Sequence, residues 1–184
     1  MTLFQFIRSD YLRYKKYGAN FWVIVFFTQG FWATFQYRIA HYCYQKVSFK
    51  PLRILLFIPL YLWQKIIEIT TGISIPYAAT IGHSFYIGHF GGIVLNARTV
   101  MGNNCNIAQG VTIGVSGQGE NRGVPKIGNH VFIGVNSVVA GKITIEDHVM
   151  IGACSLVITD IEEHSVYLGV PAVKISDKGS KGYI

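Results

Sequence analysis

Histidine is the residue type in this sequence that is best suited to moving protons at neutral pH. The chain has six of them: His41, His83, His89, His130, His148 and His164. A neutral imidazole can take a proton from a hydroxyl and return it to a leaving group. The three cysteines, Cys43, Cys105 and Cys154, are far apart and form no C-x-x-C pair. We therefore expect neither a structural zinc site nor a disulfide framework, and we expect a reducing, cytoplasmic location.

A six-residue repeat indicates which elements must hold these side chains. Aliphatic residues recur at every sixth position in three registers: Ile75, Ile81, Ile87 and Ile93, then Leu95, Met101, Ile107 and Ile113, then Ile127, Ile133, Val139, Ile145, Ile151 and Val157. Neither a helix nor a plain strand has this period. A triangular coil with one inward aliphatic residue per short strand does have it. The sequence therefore predicts a mainly β protein, a parallel β-helix of about five coils over residues 72–175.

Two interruptions of the repeat mark irregular segments. The register slips by two between Ile93 and Leu95, and the gap from Ile113 to Ile127 is too long to keep phase. The second gap contains the polar, glycine-rich segment 115–126, which we expect to leave the coil as a loop. Irregular loops on a rigid scaffold are a common place for binding and catalysis.

The repeat assigns His89 to a corner of the coil. It lies two positions after Ile87, where side chains turn outward, and the matching position one coil later is Gln109. We expect the two side chains to stack about 5 Å apart, the spacing of neighbouring strands. Spacing alone leaves open whether His89 is a catalytic base or an ordinary exposed corner residue.

Residues 1–71 predict a basic, aromatic-rich α-helical extension, and residues 176–184 a tail. Residues 1–70 contain nine Lys/Arg, two Asp/Glu and 19 of the 26 aromatic residues, whereas residues 71–184 contain seven Lys/Arg and seven Asp/Glu. No nucleic-acid-binding motif accompanies this charge, so we expect no nucleic-acid partner. The helices are expected to pack on one another or between subunits, to lie on the inner face of the cytoplasmic membrane, or to span it.

Residues 31–46 show helical spacing. Trp32, Phe35, Ile39, Tyr42 and Cys43 lie on one stripe, while Gln36, Arg38 and Lys46 lie away from it, which predicts an amphipathic helix.

Several motifs resemble the left-handed β-helix hexapeptide acyltransferases, namely the serine acetyltransferase branch and its relatives in exopolysaccharide synthesis. They are the segments HFGGIV at 89–94, IAQGVTIG at 107–114, PKIG at 125–128 and GVPA at 169–172. The resemblance implies a homotrimer or a dimer of trimers, with acetyl-CoA bound between neighbouring coils. It also implies that His89 is the general base for direct acetyl transfer to a hydroxyl, with no covalent enzyme intermediate. The cysteines are then small core residues.

The resemblance also implies roles for other residues. The cofactor-binding residues would be Gly114, Val115, Ser116, Gly134, Val135, Ala153 and Lys174. Among these, Lys174 would reach the nucleotide phosphates, and amides between Gly114 and Ser116 would hold the oxyanion. Gln109 and Arg122 would lie on the acceptor side.

The sequence departs from the serine acetyltransferase pattern at charged positions. Ser74 and Gly88 stand where the family has aspartates, and Gly123 and Val124 stand where it has an Arg-His pair. A free amino acid carries two charges, and burying either without a partner is costly. We therefore expect a sugar or a lipid-linked saccharide as the acceptor, with a possible peripheral membrane contact through residues 1–70, and we keep L-serine as the alternative.

Two other functions are compatible with a β-helix. A carbonic anhydrase of this type needs an H-x-x-x-x-H pair, which the sequence lacks, so we expect no metal; His130 and His148 are eighteen residues apart and should stack on one face. A non-catalytic scaffold for a membrane-bound synthesis complex is the second alternative, and the matches at His89 and Gln109 argue against it.

Overall fold

The computed structural model describes residues 1–184 and begins with four α-helices. They are α1 (Leu3–Lys16), α2 (Phe21–Phe27), α3 (Gln29–Lys46) and α4 (Lys50–Thr71). A capping box fixes the start of α1: the Thr2 hydroxyl accepts a hydrogen bond from the Gln5 amide, and the Gln5 side-chain carbonyl accepts one from the Thr2 amide. Gly72 ends α4 in a left-handed conformation, with φ of 67°. None of the helices combines the length and the apolar character needed to cross a bilayer.

Fifteen short strands follow, almost all paired in parallel. They are β1 (Ile73–Ser74), β2 (Thr80–Ile81), β3 (Tyr86–Ile87), β4 (Ile93–Leu95), β5 (Val100–Met101), β6 (Asn106–Ile107), β7 (Thr112–Gly114), β8 (Lys126–Ile127), β9 (Phe132–Ile133), β10 (Val138–Ala140), β11 (Thr144–Ile145), β12 (Met150–Ile151), β13 (Leu156–Val157), β14 (Val166–Gly169) and β15 (Ala172–Ser176). Three sheets result, in the orders β1-β4-β7-β10-β13, β11-β8-β5-β2 and β15-β14-β12-β9-β6-β3. Only β14 and β15 pair antiparallel.

The three sheets enclose one continuous aliphatic core. All fourteen aliphatic residues of the predicted six-residue repeat are buried, with no more than 4% of any of them exposed. Each lies above or below its counterpart in the next coil, as Ile87, Ile107, Ile133 and Ile151 do in successive strands of one sheet. The predicted fold, a left-handed parallel β-helix preceded by helices, is confirmed.

The slip in register lies at a corner and not within a strand. Leu95 pairs with Ile113, so eight residues separate the inward residues Ile87 and Leu95, where six separate Ile107 and Ile113. The two extra residues form a wider turn through residues 89–92. Gly91 and Gly92 have φ values of 101° and 65°, a conformation that glycine adopts without strain.

The helices cover the first coil, and α3 buries a different face from its apolar stripe. Gln36 and Arg38 are almost fully buried, whereas Tyr42 is exposed and Ile39 is half-buried. The buried polar groups have partners: the Arg38 guanidinium is paired with Asp10, and Tyr37 donates a hydrogen bond to the Ala79 carbonyl. The predicted helix is present as α3, but the apolar stripe is not the side that it buries against the β-helix.

The three cysteines are free thiols, and only one fits the description of a core residue. Cys105 is buried, Cys43 is half-buried and Cys154 is exposed. Burial raises the pKa of the Cys105 thiol to about 12, so this group stays protonated at neutral pH. The expectation that all three fill the core is wrong for Cys154.

Candidate functional site

Four of the predicted site residues share one corner of the β-helix. His89, Gln109, Val135 and Ala153 each follow by two positions one of the stacked residues Ile87, Ile107, Ile133 and Ile151. Backbone hydrogen bonds tie these turns together, since the Asn136 amide donates to the Gln109 carbonyl and the Cys154 amide donates to the Val135 carbonyl. These turns form one corner of the β-helix. In the first coil the Gly110 amide donates to the Gly91 carbonyl, so the wider turn places Gly91, and not His89, opposite Gln109.

His89 is exposed at this corner, and its imidazole forms no hydrogen bond within the chain. Position 74, where the family has an aspartate, is occupied by a serine whose hydroxyl donates to Glu68 Oε1 at 2.8 Å. Although partial burial opposes ionisation of Glu68, hydrogen bonds from Lys65, Ser74 and Gln64 hold its pKa below the usual range. Ser74 thus serves this α4 carboxylate and does not orient His89.

A second group of predicted residues lies where β7 ends. Gly114 pairs with Ala140, and the loop closes through reciprocal hydrogen bonds between Ser116 and Gly123 at 3.1 and 3.0 Å. The Ser116 amide is used in this closure. It is therefore unavailable to hold an oxyanion, which corrects that part of the prediction.

The structure brings these two groups to different corners of the same chain. Residues Gln109 and Gly110 precede β7, whereas Gly114 is its last residue and Val115 and Ser116 follow it. A strand of three residues spans about 10 Å. The His89 corner and the loop corner of one chain therefore lie at opposite ends of the strands of one sheet, and they do not form a single pocket.

The predicted glycines differ in the space around them, and the predicted charged residues differ in whether they already have partners within the chain. A Cβ on Gly134 would lie 2.7 Å from backbone atoms of the next coil, whereas Gly114 has only Thr112 Cγ2 nearby, at 3.8 Å. Lys174 already pairs with Glu162 and Asp177, at 2.5 Å each, and these contacts raise its pKa. A phosphate would have to displace them. The Arg122 guanidinium, in the exposed loop, forms no ion pair or hydrogen bond within the chain.

Another corner carries a stack of three histidines. His130 and His148 stack as predicted, with ring centroids 4.7 Å apart, and His164 extends the stack by another 4.7 Å. The sequence did not indicate His164, because it follows His148 by sixteen residues and not eighteen. Ligand atoms of His148, Glu163 and His164 lie within 4.8 Å of one another. These residues lie on a different corner from His89.

The sequence and the structure both match known acetyltransferases. Residues 125–159 match the family model described as bacterial transferase hexapeptide (six repeats). The serine acetyltransferase of Bacillus pumilus (strain SAFR-032) is 32% identical over 158 residues, which cover 86% of this chain and 69% of that protein. The serine acetyltransferase of Haemophilus influenzae is 32% identical over 172 residues, which cover 92% of this chain and 61% of that protein.

Solved structures extend the similarity through the helices. A serine acetyltransferase in complex with CoA superposes with a TM-score of 0.79 at 27% identity, covering 94% of this chain and 69% of that one. The serine acetyltransferase of Neisseria gonorrhoeae in complex with serine gives a TM-score of 0.80 at 30% identity, covering 95% and 69%. The matches described here are serine acetyltransferases, and they lend no support to the exopolysaccharide branch of the resemblance.

Proposed function

This chain belongs to the serine acetyltransferase family of hexapeptide-repeat transferases, which makes it an acetyl-CoA-dependent acyltransferase, and on that premise we propose that His89 is its general base. The observation that carries the proposal is the position of His89: it is exposed, free of internal partners, and lies two positions after Ile87, at the corner where Gln109 follows Ile107 in the next coil. A base needs an accessible nitrogen that no other group occupies.

The proposed reaction is direct transfer. An imidazole nitrogen of His89 takes the proton from the acceptor hydroxyl as the hydroxyl oxygen attacks the thioester carbonyl of acetyl-CoA. The tetrahedral intermediate then collapses, the carbon–sulfur bond breaks, and His89 returns the proton to the thiolate of CoA. The products are the acetyl ester and free CoA, and no covalent enzyme intermediate is required.

We propose that the site is completed between subunits of a homotrimer. The His89 corner and the corner with Gly114, Val115 and Ser116 are separated by the length of β7 in one chain. A neighbouring subunit that packs alongside can bring its own loop corner to the His89 corner. Arg122 would then reach the acceptor from the neighbouring chain, and Gln109 from the same chain as His89.

L-serine is the acceptor that the relatives favour, since the matched proteins are serine acetyltransferases. A neutral hydroxyl acceptor, such as a sugar, is a second candidate because of one specific observation. The only carboxylate that contacts position 74 is Glu68, which is already bonded to Lys65 and Gln64. The ammonium of serine therefore finds no free carboxylate there, whereas a sugar hydroxyl needs none.

The test is the release of CoA thiol from acetyl-CoA by the purified protein, with L-serine, nucleotide-sugars and oligosaccharides as parallel acceptors. His89→Ala should lower kcat by roughly 100-fold to 10,000-fold while acetyl-CoA binding is kept. His164→Asn is the matched control, since His164 is exposed on another corner and asparagine tolerates its positive φ. Release driven by serine identifies a serine acetyltransferase; release driven only by sugars supports the second candidate. Full activity in His89→Ala contradicts the proposed base.

A further inference from the structure

The longest helix turns its apolar side toward solvent. On α4, apolar residues three or four positions apart are each more than half exposed: Ile54, Leu55, Ile58, Tyr61, Leu62, Ile66 and Ile69. We call this set the outward stripe. The opposite side of α4 carries the buried residues Gln64, Ile67 and Thr71. A helix that packs only against its own protein buries its apolar side, so the outward stripe needs an occupant from outside the chain.

A second apolar surface lies on the other side of α4, toward α1, α2 and α3. An open cavity of about 750 Å³ lies among the four helices, and α4 contributes Trp63 and Ile67 to it while α2 contributes Phe21 and Val25. Arg8 is its only residue that is not hydrophobic. On α2, the aromatic side chains of Trp22 and Phe27 are also largely exposed. Two exposed apolar surfaces of this extent are uncommon on a protein that meets only water.

The charge around this surface has one sign. The net charge of residues 1–70 is +7, from nine Lys/Arg and two Asp/Glu. Both acidic residues are already engaged, because Asp10 is buried against Arg38 and Glu68 is paired with Lys65. Lys46 and Lys50 flank the exposed Phe49 at the turn that leads into α4 and are themselves exposed.

We propose that the outward stripe docks on the anionic surface of a lipid bilayer, with α4 lying along it. An apolar helix face bordered by lysine and arginine is attracted to anionic headgroups and buries its side chains at the acyl boundary. A second copy of the same surface is a poorer occupant, because its exposed lysines, Lys46 and Lys50 among them, carry the same charge as their counterparts and repel them. This inference is independent of the acetyl acceptor.

The test is flotation of the purified full-length chain with vesicles of phosphatidylcholine, with and without phosphatidylglycerol. We expect binding only to vesicles that contain phosphatidylglycerol, and weaker binding at high salt. Ile58→Glu should weaken partitioning into vesicles at least about tenfold, since it replaces an apolar side chain that the bilayer would bury with a charged one. Its matched control is Ile175→Glu, because Ile58 and Ile175 are each 58% exposed.

The electrostatic part of the proposal has its own pair of variants. Lys46→Gln with Lys50→Gln should weaken partitioning by about 25-fold, roughly fivefold per lysine. The control, Lys178→Gln with Lys181→Gln on the C-terminal tail, should leave it unchanged. All four variants should keep wild-type circular dichroism and thiol release with a soluble acceptor, which separates this proposal from the proposed function. The membrane proposal is overturned if the chain binds no vesicles, if binding does not depend on phosphatidylglycerol, or if Ile58→Glu binds as well as the wild type. It is also overturned if light scattering shows a smaller assembly for Ile58→Glu, because the outward stripe would then be an interface between copies.

Discussion

Loss of one charge at the junction of the helices and the β-helix should destabilise the whole protein. The Asp10 and Arg38 side chains are 1% and 3% exposed and are joined by two hydrogen bonds, of 2.7 and 3.1 Å. Asp10→Asn keeps the shape and can still accept the Phe85 amide hydrogen bond, which is 2.9 Å long in the wild type. It leaves the Arg38 guanidinium buried without a counter-charge. Breaking such a pair costs about 3–5 kcal/mol, and we expect about 3 kcal/mol because Asn retains an acceptor.

The assay is urea unfolding followed by circular dichroism at one fixed protein concentration, since assembly makes stability depend on concentration. Glu146→Gln is the control, because Glu146 is exposed and its side chain forms no hydrogen bond. The double variant Asp10→Leu/Arg38→Met should recover part of the loss, because no lone charge stays buried. Recovery should be incomplete, since the carbonyls of Ile81 and Gly82 lose their donors from Arg38. If Asp10→Asn unfolds at the same urea concentration as Glu146→Gln, the reasoning is refuted.

Two further predictions concern the coils. Gly134→Ala should cost about 1–3 kcal/mol, because its Cβ meets the backbone of the next coil, while Gly114→Ala should leave the melting temperature unchanged; equal melting temperatures would contradict the close packing at Gly134. Burial, followed by the nearby His148, holds the pKa of His130 below its ordinary value, with Arg13 and His83 also opposing the proton and Asp147 favouring it. The unfolded chain then binds this proton more readily than the folded one, so this contribution to stability is present above about pH 6.5 and is lost as the pH falls below it. His130→Asn, which tolerates the φ of 54° at this position, should flatten the decline in unfolding free energy between pH 7 and 5, and an unchanged slope would remove His130 as its cause.

The interior of the β-helix could be predicted from the sequence because one residue type repeats at a fixed interval. Each inward position contacts the same position of the next coil, so the repeat itself identifies which residues contact one another, as at Ile107, Ile133 and Ile151. The place of His89 at its corner follows from the same count. The separation of that corner from Gly114 and Ser116 also follows from it, although the resemblance implies one cofactor site that contains Gly114, Ser116, Val135 and Ala153.

The orientation of the helices could not be predicted in this way, because polar contacts and not apolar periodicity determine it. The strands β2 and β3 are the edge strands of their sheets, and an uncovered edge leaves amides and carbonyls unpaired. The helices satisfy these groups with side chains: the Tyr14 hydroxyl bonds the amide and carbonyl of Ile87, and Asp10 accepts the Phe85 amide.

A helix that covers a sheet edge must therefore bury hydroxyls, carboxylates and guanidinium groups, which a hydrophobic pattern assigns to solvent. Arg38 belongs to the buried side of α3 for this reason, since it donates to two carbonyls of the first coil. The outward stripe of α4 is the counterpart of the same arrangement. The side chains of α1 and α3 supply the polar contacts that the edge strands β2 and β3 require. The apolar side of α4 therefore faces outward. Lysines lie near it, so an anionic surface complements its charge.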